Sequence, residues 1–322
     1  LLAYDFMKAD FIDPAKRIFD LIDKYEVRLN RQFLVMVNSI KDEMVLKEIE
    51  QLIISGRINE AVTSAEAYVN RFAGQINNVF VASGESTAEI LGSLAVIDFD
   101  ITNIRAVNIM RLNKLEFVRE FMAEQRLATR YALMDGIERG LNPIDQARAF
   151  RDSIGLTVRQ QSAVSNYRRL LTEGSAEALN RRLRDGRFDR TVISAIRDGR
   201  SLSPEQIDRM VGRYQERYVK YRSEVIARTE SLSAVHEGKE EMYQQAFDSG
   251  TLDPEKCIRK WHPARDARVR DTHWPMSGQE RKVGEPFTTG AGVKIMYPGD
   301  RNAPAKERIQ CRCATSTTIK KE

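Results

Sequence analysis

Cys311 and Cys313 form a Cys-x-Cys pair, and His273 lies upstream of them. On a strand the side-chain period of two puts both thiols on one face, where they offer two soft ligands to one metal. Two ligands do not complete a tetrahedral zinc site. His273 and Cys257 are the candidates to fill it, but structural zinc modules bring their ligands in close pairs, and the chain has no Cys-x-x-Cys. Buried, inert thiols are the default reading and no cofactor is expected, with zinc at Cys311, Cys313 and His273 as the alternative. A disulfide between positions i and i+2 of a strand would be strained.

Asp266, Arg268, Arg270 and His273 fall within eight residues. Together they suggest an acid, a base and two anion holders, the equipment for hydrolysing a phosphate ester. The plainer reading is a loop held by Asp-Arg and His-backbone hydrogen bonds in a region with little core. The chain lacks a Gly-x-x-x-x-Gly-Lys phosphate loop, a Gly-x-Ser-x-Gly elbow and a His-Glu-x-x-His helix, so it is expected not to be an enzyme. From Arg181 to Arg200 there are seven Arg and three Asp. Arg181, Arg182, Arg184 and Arg187 are candidate phosphate contacts, and a solvated connection with arginines paired to Asp185, Asp189 and Asp198 is the equal alternative. No module for reading base edges is present.

The elements that must position these residues are mostly helices. Ser203-Pro204-Glu205-Gln206 carries an N-cap, a first-turn proline and the Gln of a capping box. The helix it opens shows Ile207, Val211, Tyr214, Tyr218, Tyr221 and Val225 on one stripe and is expected to reach about Phe247, on the order of 60 Å at 1.5 Å per residue. Asn142-Pro143 opens a short helix that Gly155 ends, and Thr157 with Gln160 caps another running to about Gly174. Asp100 and Thr102 precede a long run with Ile104, Val107, Leu115, Val118, Phe121 and Met122 on one face. Residues 13–81 also read as helices. Beyond Gly250 the period changes, and residues 257–261, 293–297 and 309–313 read as short strands between Pro and Gly turns.

The 322 residues are 42% hydrophobic and 30% charged, which excludes a disordered chain and predicts two or three domains. No stretch is long and apolar enough for a membrane helix. Leu1-Leu2-Ala3-Tyr4-Asp5 lacks the pattern of a signal peptide, and with no initial Met the numbering is read as starting inside a longer chain. Three cysteines, an odd number, argue for a reducing compartment over a disulfide framework. The net charge of +5 resides wholly in residues 248–322, with 15 basic against 10 acidic side chains. That segment also holds six of the nine prolines and both tryptophans, so a boundary near Asp248 follows.

In chain order, Lys260-Trp261, Asp266-x-Arg268-x-Arg270-x-x-His273, Gly278-Gln279, Glu285-Pro286-Phe287, Tyr297-Pro298-Gly299-Asp300 and Cys311-Arg312-Cys313 form a specific set. Upstream stand Phe99-Asp100, Ile154-Gly155-Leu156-Thr157, Arg187-Phe188-Asp189 and Ala227-Arg228-Thr229-Glu230. With these the chain, over about residues 95–322, resembles the phage Mu F-like minor head proteins of the phage head morphogenesis family. The resemblance implies a minor capsid component that joins the head during assembly, often at the portal vertex, and meets packaged DNA. It brings no catalytic residues, so Trp261, Asp266, Arg268, His273, Gly278, Tyr297, Cys311, Arg312 and Cys313 are expected to be structural.

The expected fold is mainly α, an elongated bundle of long helices with a small C-terminal α+β domain. Its divisions are 1–94, a helical region for portal or capsid docking; 95–247, a bundle of long helices; and 248–322, the Mu F-like domain. Expected partners are the portal protein, the major capsid or scaffolding protein, and genomic DNA without sequence specificity, but no membrane. The protein is expected in the virion head after assembly in the host cytoplasm. The competing classes are a nucleic-acid-processing enzyme and a zinc-bound DNA-binding accessory protein, both using the C-terminal domain.

Overall fold

Helix start signals act locally, and those read at Asn142, Thr157 and Ser203 operate in the computed structural model, which describes residues 14–92 and 97–320. The long helix after Asp100 and Thr102 is instead capped by Asn103, which accepts from the Arg105 N–H at 2.9 Å. Residues 1–13 of the expected docking region, and its 94/95 boundary, lie outside the described residues. In chain order the helices are α1 (Pro14–Glu43), α2 (Leu46–Ile54), α3 (Ile58–Thr63), α4 (Glu66–Leu91), α5 (Ile104–Glu138), α6 (Pro143–Asp152), α7 (Val158–Thr172), α8 (Asp189–Arg197) and α9 (Pro204–Asp248). Asn142 accepts from the Asp145 N–H at the start of α6, and Thr157 and Gln160 close a capping box on α7. Ser203 and Gln206 exchange the same pair of bonds at the start of α9, at 3.0 and 3.3 Å. The strands follow: β1 (Cys257–Pro263), β2 (Glu280–Lys282), β3 (Phe287–Thr288), β4 (Lys294–Ile295), the short helix α10 (Ala305–Arg308), and β5 (Cys313–Ile319). The fold is mainly α with a small C-terminal α+β region.

The contacts gather into two units. One comprises Arg31–Ala73 and Leu115–Glu224. Its core includes Phe33, Phe72, Phe117 and Phe121, with Phe33 edge-on to Phe72 at 5.6 Å and to Phe121 at 5.9 Å. Buried Gln125 on α5 donates to the Ser153 carbonyl and accepts from the Gly155 N–H, which satisfies the backbone after α6. Gly155 has φ +89°, and a Cβ there would meet Val37 at 2.9 Å, so only glycine fits. Tyr167 and Tyr214 pack at 4.4 Å, making the first part of the α9 tyrosine stripe core. Tyr221 is exposed.

Among the described residues, the other unit comprises 14–30, 74–92, 97–114 and 225–320. Here α9 is buried on every side: each residue from Ala227 to Tyr243 is buried, including Arg228, Glu230, Glu237, Lys239, Glu240 and Glu241. Gly238 permits α4 to approach, since a Cβ there would lie 2.1 Å from the Phe80 carbonyl oxygen, and Ser83 donates to the Val235 carbonyl at 2.6 Å. The sheet has the order β2-β1-β5 and is antiparallel, with Cys257 opposite Ile319 and Pro263 opposite Cys313. β3 and β4 form a separate two-stranded ribbon. Lys239 on α9 donates to the Thr315 carbonyl at 2.6 Å, which ties β5 to the helix.

Three sequence expectations need correction. On α5, Ile104 (74% exposed), Val107 and Leu115 (59%) face solvent, whereas Val118, Phe121 and Met122 are buried. The single stripe fails because Ala106 is the residue α5 turns inward at its start, a position too small to register as an apolar period. The strand read at 309–313 begins only at Cys313, because α10 ends at Arg308 and Gln310 takes φ 55°. The strand read at 293–297 shrinks to Lys294–Ile295, because Asp300 turns back and accepts from the Met296 N–H at 2.8 Å.

His236 fixes one chemical requirement of this unit. Thr315 N–H donates to its Nε2 at 3.2 Å, so Nδ1 carries the proton and donates to the Leu232 carbonyl at 2.9 Å. Burial, reinforced by Lys239, lowers its pKa from 6.5 to about 3. Below pH 6.5 the unfolded chain takes up a proton that the folded chain refuses, so this contribution is whole above pH 6.5 and is lost progressively toward pH 3. Both tryptophans lie in this unit, so their fluorescence follows its unfolding in urea. Between pH 6.5 and 4.5, the wild type should lose stability faster than His236→Gln by about 1 kcal/mol per pH unit. Equal slopes would contradict the neutral-histidine assignment. Gly238→Ala should lower the melting temperature, costing about 1–3 kcal/mol from overpacking against backbone, whereas an unchanged midpoint would refute the close approach.

Candidate functional site

β1 alternates inward and outward, and its inward residues are Cys257, Arg259 and Trp261, all fully buried. Trp261 packs edge-on to Phe287 at 5.1 Å and to His273 at 5.8 Å, which puts the imidazole against the aromatic core of the C-terminal region. The segment carrying His273 is held by its own backbone: His273 N–H donates to the Arg270 carbonyl, and Gly290 N–H to the Thr272 carbonyl at 2.7 Å. Arg270 reaches across to the Ile309 carbonyl. His273 is 1% exposed.

Cys311 and Cys313 converge on this ring. Their sulfurs lie 3.4 and 3.6 Å from His273 Nδ1, and both thiols are fully buried. On the other side of the ring, Nε2 meets the Glu307 carboxylate at 3.0 Å, and Thr272 Oγ1 donates to the same oxygen at 2.9 Å. A carboxylate accepts, so Nε2 carries the proton and Nδ1 turns its lone pair toward the sulfurs. The Cys313 thiol bonds to Cys311, which holds Cys311 below the ordinary thiol range against the opposing effect of burial. The same bond and burial push Cys313 up. His273, Cys311 and Cys313 thus form a set whose ligand atoms all lie within 4.8 Å of one another.

The neighbouring residues of the sequence set brace this cluster. Asp266 accepts from Arg312 at 2.6 and 3.0 Å, from the Arg268 backbone at 2.9 Å and from the Arg268 side chain at 3.2 Å. Burial pushes Asp266 up, but these bonds and the positive charge of Arg312 hold it below the usual carboxylate value. Gly278 takes φ +78° and donates its N–H to the Trp261 carbonyl. Gly299, at φ +84°, lies so close to Ser233 that an added Cβ would meet the Ser233 Oγ at 2.9 Å. Tyr297 stacks on His236 at 6.3 Å. Cys257 is elsewhere, packed with Ala88, Leu91, Met242 and Tyr243 at the opposite end of β1.

Five of the seven arginines of the 181–200 segment pair with acids. Arg184 is bidentate to Asp189, Arg187 bonds Asp185 and holds that carboxyl down to about 2, and Arg181 lies 4.0 Å from Glu177. Arg182 is exposed and forms no ion pair among the described residues. Sequence reading missed Glu307, one carboxylate among many with no local pattern to mark it. It also missed Arg259, whose guanidinium bonds the Met296, Lys282 and Glu285 carbonyls and pairs with Glu240 at 3.1 Å. The alternation Cys257-x-Arg259-x-Trp261, which places Arg between two core positions, is a signal that could have found it.

Among the described residues, no helix is long and apolar enough to cross a membrane. No curated protein and no solved structure matches the chain. The family described as Phage Mu protein F like protein matches residues 128–316, well over half of the chain. That span contains every C-terminal residue of the sequence set and the upstream landmarks from Ile154 onward, though Phe99-Asp100 lies outside it. The chain therefore belongs to the Phage Mu protein F like family of phage head morphogenesis proteins.

Proposed function

We propose that the protein is a minor component of a phage head that docks at the portal vertex during assembly, inside the host cytoplasm, and is retained in the virion. Family membership over residues 128–316 carries this reading. Residues 1–94 form the proposed docking region, 95–247 the helical body and 248–322 the family-specific module. The major capsid or scaffolding protein is the second proposed partner. Packaged DNA is met through phosphates alone, without base readout. Of the four candidate arginines Arg182 is the one with no ion pair among the described residues, while Arg181, Arg184 and Arg187 would exchange Glu177, Asp189 and Asp185 for phosphate.

Exposed apolar side chains support a protein partner. On α5, Ile104 and Leu112 (57% exposed) are eight residues apart, within an arc of about 80° at 100° per residue. We assign no catalytic step. Asp266 is occupied by Arg312 and Arg268, and His273 is buried between Glu307 and two thiols, so neither is presented to a substrate.

Mass photometry of the purified chain mixed with the portal protein encoded beside it tests this. The expected result is a species heavier than the portal oligomer by a whole number of 36.9 kDa chains. Leu112→Asp, which places a charge on the exposed apolar arc, should weaken that species at least tenfold. Two unchanged mass distributions on mixing would contradict portal docking.

A further inference from the structure

We propose that His273, Cys311 and Cys313 bind one zinc ion, with Glu307 as the residue that orients the histidine. This assignment goes beyond the portal proposal and does not depend on it.

The distances suit the ion. Zinc bonds of about 2.0–2.1 Å to nitrogen and 2.3 Å to sulfur, in tetrahedral geometry, require nitrogen and sulfur to be about 3.6 Å apart. His273 Nδ1 lies 3.4 Å from one sulfur and 3.6 Å from the other. The donor type agrees as well, since two thiolates and an imidazole select zinc over the hard divalent ions. Third, the imidazole is already aligned. A zinc-bound histidine commonly donates its remote N–H to a carboxylate, which fixes the tautomer and the ring plane. Here Glu307 takes that place at 3.0 Å, is itself 3% exposed, and is steadied by Thr272 Oγ1 at 2.9 Å. A surface histidine would need no such partner.

The site has three protein ligands. Cys257 is six residue pairs away along β1 and β5, on the order of 20 Å at 3.3 Å per residue, and cannot be the fourth. In this arrangement the ion joins the 264–276 segment to the start of β5. It thereby crosslinks a region whose sheet holds only three strands.

The test uses the full chain, produced without a metal-binding tag and dialysed against metal-free buffer. Elemental analysis should find one zinc per chain. Cobalt(II) added after zinc removal should give the absorption of thiolate-to-cobalt charge transfer. Glu307→Gln should keep the far-ultraviolet dichroism of the wild type but bind zinc about 10–100-fold more weakly in competition with a chelator. Because Cys311→Ser and Cys313→Ser could impair folding, the wild-type measurements decide by themselves. Folded wild type that contains no zinc and gives no charge-transfer absorption with cobalt would overturn the proposal. So would stoichiometric zinc retained by a folded Cys311→Ser/Cys313→Ser variant, because the ion would then lie elsewhere.

Discussion

Between Ala227 and Tyr243, α9 carries six charged side chains and a histidine, and every residue of the stretch is buried. An ion removed from water without a partner costs several kcal/mol, so this stretch is stable only where each charge is met. The partners come from far along the chain. Arg228 pairs with Asp23 and Glu26 and bonds the Cys311 carbonyl. Arg301 bridges Glu230 and Glu237, while Asn113 supports Glu237. Arg259 meets Glu240, Arg105 meets Glu241, and Lys239 and His236 take the Thr315 backbone. The C-terminal region is therefore the solvation shell of a polar helix as much as a module in its own right.

This explains why the residues that carry the sequence resemblance are such an uneven collection. Ala227-Arg228-Thr229-Glu230 opens the buried stretch. Tyr297-Pro298-Gly299-Asp300 provides the ring against His236, the glycine that Ser233 requires, and the carboxylate that closes its own turn. Asp266 and Arg312 fasten the His273 segment to the start of β5. These positions answer hydrogen-bonding and steric needs of the fold. The apolar side chains left exposed on α5 are a different class of feature, one that a partner rather than the chain itself would cover.

What the sequence disclosed follows the range of the interactions. The ends of α6, α7 and α9 were legible because Asn142, Thr157 and Ser203 act on backbone within three residues. The polar stretch of α9 was not legible as buried, since its periodicity is that of a solvated helix and its partners lie up to about 200 residues away. The direction of the α5 stripe failed where Ala106, not Ile104, meets the core. At the candidate site the ligand types were visible in the Cys-x-Cys pair and His273. The reason first given for their convergence, a shared strand face, does not hold. Cys311 precedes the strand, and the turn at Gln310 brings it in. Glu307 had no signature, because a second carboxylate–histidine partner is defined by a tertiary contact alone.

The dependence of buried α9 on the C-terminal region is most directly tested by native-state hydrogen exchange. Amides of residues 227–243 should exchange with the same opening free energy, and the same dependence on urea, as those of β1 and β5, because removing the strands strands the charges. A sheet that opens separately at lower free energy, while the helix amides keep full protection, would contradict the account.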